Sequence, residues 1–142
     1  MEETPLDQLI RIHKALAHPV RVRILAMLRG GELCVCQLNA VIGLAPSTIS
    51  AHLAELKDAG MIGERKEGRW VHYRLVAAEV RKDALATLWP TLAADQLIAD
   101  DATLLKAITK LPVKAICRPE FDVSTLRATC CRPATKKRTA RA

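Results

Sequence analysis

Apolar residues recur at helical spacing almost from the start of the chain. Leu6, Leu9, Ile10 and Leu16 mark an amphipathic helix over residues 5–17. In "HPVRVRILAMLRGG" Pro19 suits a first turn, Val20, Ile24, Leu25 and Leu28 form the apolar stripe, and Gly30–Gly31 stops it. Val35, Leu38 and Ile42 carry a third helix that Gly43 ends. Pro46 opens a fourth, with Ile49, Leu53 and Leu56 facing inward and an end near Gly60. Ala45 is a poor N-cap for it, so Ser47 or Thr48 is expected to compensate locally. Beyond Gly60 the period changes. Ile62, the turn-like "KEG" and the run Trp70–Leu75 predict a β-hairpin with a charged tip. Helical spacing returns over 78–89 (Val80, Leu85, Leu88) and 95–110 (Leu97, Leu104, Leu105, Ile108), then fails from Pro112.

Two helices, a short turn, a further helix and a β-hairpin make a winged helix-turn-helix, mainly α with a β-hairpin wing. Residues 1–110 are expected to form this DNA-binding and dimerisation domain, and 111–142 a cysteine-containing basic segment, partly disordered, that ends in "CCRPATKKRTARA". A chain of 142 residues suffices for one such core, and the scarcity of aromatics against Leu, Ala, Ile and Val favours helices over a sandwich. The net charge of +7 points to a polyanionic partner, nucleic acid before membrane surface. No apolar run approaches the roughly 20 residues that span a bilayer, and "MEETPLDQLIRIHK" does not read as a signal peptide, so no membrane partner is expected. Five cysteines, an odd number without a secretory leader, read as reduced thiols in a cytoplasm rather than a disulfide framework.

Two features carry chemistry. With Ile49, Leu53 and Leu56 inward, Ser47, Thr48, Ser50, Ala51 and His52 lie on the other faces of the fourth helix, where short polar groups approach base edges and phosphates in a major groove. Arg65, Lys66 and Arg69 at the hairpin tip are placed to reach phosphates or the adjacent minor groove. Secondly, Cys34 and Cys36 stand at the start of the third helix. Their thiolates suit soft ions such as Zn(II), Cd(II), Pb(II), As(III) or Sb(III), and a helix N-terminus lowers thiol pKa. Residues i and i+2 lie about 200° apart on a helix, so joint ligation would require its first turn to distort.

"HPVRVRIL", "ELCVCQL", "APSTISAHLAELKDAGMI" and "RKEGRWVHYRL" together resemble the ArsR/SmtB family of metal-responsive bacterial repressors, over about residues 10–90. The resemblance implies a homodimer that leaves its double-stranded operator when an inducer binds. An inverted-repeat operator is the expectation for one reading helix per protomer. It also implies that the "ELCVC" cysteines sense the inducer. That motif is shared by arsenic/antimony and cadmium/lead sensors. The enteric arsenic pattern continues with a third cysteine where this chain has Asn39, and the N-terminal cysteines of cadmium/lead members are missing from its first 33 residues. The family's zinc site needs a histidine on the C-terminal helix, and none follows His72. Cys117, Cys130 and Cys131 remain as sources of a further thiolate. Trivalent arsenic commonly takes three, so As(III) is the favoured inducer, with Sb(III) as its analogue. Cd(II) or Pb(II) at both Cys130 and Cys131, or oxidation of the thiols to a disulfide, are the alternatives. An enzyme is not expected, because C-x-x-C on a βαβ frame, a phosphate loop and a Ser/His/Asp set are all missing.

Overall fold

The computed structural model describes residues 2–76, 79–118, 120–124 and 126–127, with the backbone alone at 79 and 80. Helix α1 (Pro5–Leu16) opens on a capping box in which the Thr4 hydroxyl oxygen accepts from the Asp7 amide and the Asp7 carboxylate accepts from the Thr4 amide, each at 3.1 Å. The Thr4 hydroxyl also donates to the Asp7 carboxylate at 2.7 Å, and this bond, with that from the Thr4 amide and Arg11 nearby, holds the Asp7 carboxyl below its ordinary value. Helix α2 (Pro19–Leu28) is capped by His18, whose Nδ1 accepts from the Val20 amide. Strand β1 (Leu33–Cys34) leads into α3 (Val35–Ile42), which Gly43 ends at φ +75 in the left-handed conformation favoured at that position. Helix α4 (Pro46–Asp58) starts at proline with no side-chain hydrogen bond from Ala45, whose carbonyl accepts from the Thr48 and Ile49 amides. The hairpin β2 (Ile62–Glu67) and β3 (Trp70–Leu75) turns through Gly68 at φ +59. Helices α5 (Glu79–Ala86), α6 (Leu88–Leu92), α7 (Gln96–Thr109) and α8 (Val113–Ile116) complete the order.

The antiparallel sheet runs β1-β3-β2, with Cys34 opposite His72 and Glu67 opposite Trp70. This mostly helical unit with a small sheet is a winged helix-turn-helix, α3 and α4 forming the reading pair and β2–β3 the wing. The core lies where α2, α3 and α4 meet, with α7 packed across α2 and α3. Ile24, Leu25, Leu38, Val41, Ile49, Leu53, Leu56, Leu104 and Ile108 are buried in it. Arg23 on α2 and Asp101 on α7 clasp through two hydrogen bonds of 2.7 and 2.9 Å.

Several readings from periodicity need correction. On α1 the buried positions are Ile12 and Ala15, while Leu6, Leu9 and Ile10 are 67, 46 and 47% exposed. The helix rests on the core by one edge and turns its apolar stripe outward. Leu97 on α7 is also exposed. A third strand joins the sheet, too short to show a period. Past Pro112 the chain does not leave the domain at once: Ile116 is buried, Phe121, Val123 and Leu126 pack against the core, and the Arg127 guanidinium donates to the Val41 carbonyl. Cys130, Cys131 and the basic tail after them lie outside the described residues. No helix among the described residues is long and apolar enough to cross a membrane.

Candidate nucleic-acid interface and thiol pair

Burial of Ile49, Leu53 and Leu56 orients α4 so that Ser47, Thr48, Ser50 and Ala51 are exposed. Their side chains are short, so the backbone can approach a polyanion closely. His52 is only half-exposed, because it leans on His18 with the ring centroids 4.3 Å apart. Desolvation there, reinforced by His18 and Arg21, holds the His52 imidazole below its ordinary 6.5. A depressed folded-state value means the unfolded chain takes the proton more readily. This contribution to stability is therefore present above about pH 6.5 and lost as pH falls. Melting midpoints from about pH 8 to 5 should fall more for the wild type than for His52→Gln, and parallel curves would refute the assignment.

On the wing, Lys66 and Arg69 are exposed, and the Arg69 guanidinium sits 5.8 Å from the Trp70 ring centroid. Arg65 is differently placed. Its guanidinium meets the Glu32 carboxylate at 2.5 Å and Glu67 at 2.9 Å. The hydrogen bonds from Arg65 hold the Glu32 carboxyl below its ordinary value, and Glu32 and Glu67 raise Arg65. Arg65 must leave these carboxylates to reach a phosphate, whereas Lys66 and Arg69 need not. At the base of the wing, Lys57 on α4 meets Glu64 on β2 at 2.6 Å. The wing is thereby tied to the reading helix.

The described cysteines sort into two kinds. Cys34 is 1% exposed, extended at φ −86 and ψ 162, and is the N-cap of α3 rather than a helical residue. Its amide donates to Gln37 Oε1 at 2.9 Å. Cys36, the second residue of α3, is half-exposed and joined by a disulfide to Cys117, 81 residues away, with the Cα atoms 5.3 Å apart. This corrects the expectation of reduced thiols only, and it removes the helical i, i+2 premise on which distortion of the first turn rested. Cys36 and Cys117 line a cleft between α3 and the segment after α8, together with Asn39, Ile116 and Phe121, and Cys34 is not among its walls. Trp70 Nε1 donates to Cys117 Sγ at 3.2 Å, and Arg69, Lys114 and Arg118 line a second pocket together with Cys117 and Trp70. Sequence reasoning missed Trp70, Lys114 and Arg118 as neighbours of a thiol. Trp70 and Cys117 are 47 residues apart, and no local spacing signals that meeting. No three His, Cys, Asp or Glu side chains cluster as a metal site among the described residues.

Residues 18–63 match the family model described as bacterial regulatory protein, arsR family. The chain is similar to the arsenic resistance transcriptional regulator ArsR2 of Pseudomonas putida KT2440, 37% identical over 113 residues, which are 78% of this chain and 94% of that one. ArsR1 of the same strain is 46% identical over 65 residues, covering 45% of this chain and about half (51%) of its own length. Among solved structures, the homodimeric winged helix-turn-helix DNA-binding domain Mb0332 from Mycobacterium bovis superposes with a TM-score of 0.54. It is 35% identical, over 62% of this chain and 82% of that one.

Proposed function

This chain belongs to the ArsR family of bacterial regulatory proteins, DNA-binding transcriptional regulators rather than enzymes, and from that premise we propose that it is an arsenic-responsive repressor. It binds an inverted-repeat operator as a homodimer, through Ser47, Thr48, Ser50, Ala51 and His52 of α4 and through Lys66, Arg69 and, once released from Glu32, Arg65 of the wing. A second copy would cover the outward Leu6, Leu9 and Ile10 on α1 and Leu97 on α7. Operator release follows when trivalent arsenic, or antimony as its analogue, is taken up by the reduced Cys36 and Cys117.

The observation that carries this reading is the meeting of Cys36 and Cys117. Two thiols brought within bonding reach can share one soft, thiophilic centre. They join α3, which supports the reading helix, to a segment whose sulfur accepts a hydrogen bond from the wing residue Trp70. Ligation there acts on both DNA-contacting elements at once. Cys36 stands in the first turn of α3. Cys34, sealed in the core, stays outside this ligand pair, and Cys130 and Cys131 are the further thiolates that Cd(II) or Pb(II) would need.

The disulfide itself supports a second reading, in which oxidation of the same pair is the signal. One titration separates them. Reduced protein on a labelled operator is challenged with As(III), Sb(III), Cd(II), Pb(II), Zn(II) and peroxide under anaerobic handling. Release at the lowest concentration by As(III) and Sb(III) is expected. Release by peroxide alone would assign the switch to oxidation, and release by Cd(II) or Pb(II) alone would overturn the choice of ion.

A further inference from the structure

The cleft at the thiol pair holds one group that neither sulfur explains. Asn39 stands three residues after Cys36, on the same face of α3, and both line the cleft with Cys117. Asn39 Oδ1 is buried and accepts no hydrogen bond from the described residues. Buried acceptors are nearly always matched, so an unmatched one on a residue that lines the cleft with both cysteines points to a donor that arrives with a ligand. Resting on the arsenic reading above, we infer that Asn39 completes the site by accepting a hydrogen bond from the hydroxyl that arsenic keeps when only two protein thiolates bind it.

The chemistry balances without an oxidant or reductant. Arsenous acid, As(OH)3, exchanges two of its hydroxides for the Cys36 and Cys117 thiolates. The two thiol protons leave with them as two waters, and a neutral dithiolate As–OH remains. A neutral product suits a cleft whose walls include Ala40, Leu44, Ile116 and Phe121. The retained hydroxyl is a donor, and Asn39 Oδ1 is an acceptor without a partner. No third His, Cys, Asp or Glu joins the pair among the described residues to displace that hydroxyl. A trivalent arsenical carrying a methyl group instead, methylarsonous acid, loses both its hydroxyls to the same two thiolates and offers Asn39 nothing.

That difference supplies the test. Reduced full-length protein is titrated with arsenite and with methylarsonous acid, as wild type, Asn39→Ala and Asn39→Cys, each checked for an unchanged melting midpoint. Asn39→Ala is expected to weaken arsenite about tenfold, the scale of one lost hydrogen bond at a buried site, and to leave methylarsonous acid unchanged. X-ray absorption at the arsenic edge should find two sulfurs and one oxygen in the wild type and three sulfurs in Asn39→Cys. Three sulfurs in the wild type, or equal weakening of both arsenicals by Asn39→Ala, would overturn the role of Asn39 while leaving the arsenic response standing. Failure of the wild type to bind either arsenical would instead remove the reading on which this inference rests.

Discussion

Asp101→Ala is expected to destabilise the protein by roughly 3 kcal/mol or more, the scale found when one partner of a buried ion pair is removed. Asp101 and Arg23 are 5% and 15% exposed, and the guanidinium meets the carboxylate through two parallel hydrogen bonds. Both charges are largely out of water, so solvent screens the pair weakly. Removing the carboxylate strands Arg23 against the core between α2 and α7, and that uncompensated charge, rather than the lost attraction, dominates the cost. Against a total stability of about 5–15 kcal/mol, such a loss brings the domain near unfolding. Urea unfolding at one fixed protein concentration measures it, which holds any contribution from the proposed dimer constant. The double variant Arg23→Met with Asp101→Leu is expected to recover most of the loss, because neither charge then needs compensation. An unchanged urea midpoint for Asp101→Ala would show that the clasp contributes nothing.

How much of this was legible beforehand depended on the range of each signal. The reading helix was fully legible: Ile49, Leu53 and Leu56 fall at helical spacing between Pro46 and Gly60, and all three are buried. The wing was legible as a change of period, though its turn is centred on Gly68–Arg69 rather than on "KEG". Helix α1 shows where periodicity misleads. Its apolar stripe is real, but the pattern states that a face avoids water and not which chain covers it. The Arg23–Asp101 clasp and the Arg65–Glu32 pair, 78 and 33 residues apart in sequence, left no local trace.

The thiol site was half legible. Cys36 stood out by its place in "ELCVC", and Cys117 was only one of three candidates for a partner. Cys34 was misassigned to the helix because a cap residue and a first helical residue look alike in sequence. Its extended backbone and its pairing opposite His72 appear only when β1 is seen to join the sheet. Asn39 was read as a missing cysteine. Its unmatched carbonyl oxygen is a property of the packed cleft and has no counterpart in the sequence.

The two classes of cysteine should therefore part ways on mutation, with the largest functional effect at the joined pair. Cys36→Ser and Cys117→Ser are each expected to bind operator within about threefold of the reduced wild type and to lose release by As(III). Serine preserves size and removes the soft ligand, and neither site is fully buried. Cys34→Ser should behave in the opposite way. At 1% exposure its side chain lies in the core, so a hydroxyl there is expected to cost about 1–3 kcal/mol of stability while the arsenic response survives. Melting curves, operator binding and As(III) release measured on the three single variants separate the outcomes. A Cys117→Ser protein that still releases normally, beside a folded Cys34→Ser protein that does not, would return the site to the Cys34–Cys36 pair. Arsenic would then have to draw Cys34 out of the core and break its pairing with β3, and the switch would lie in the β1–α3 junction rather than in the cleft.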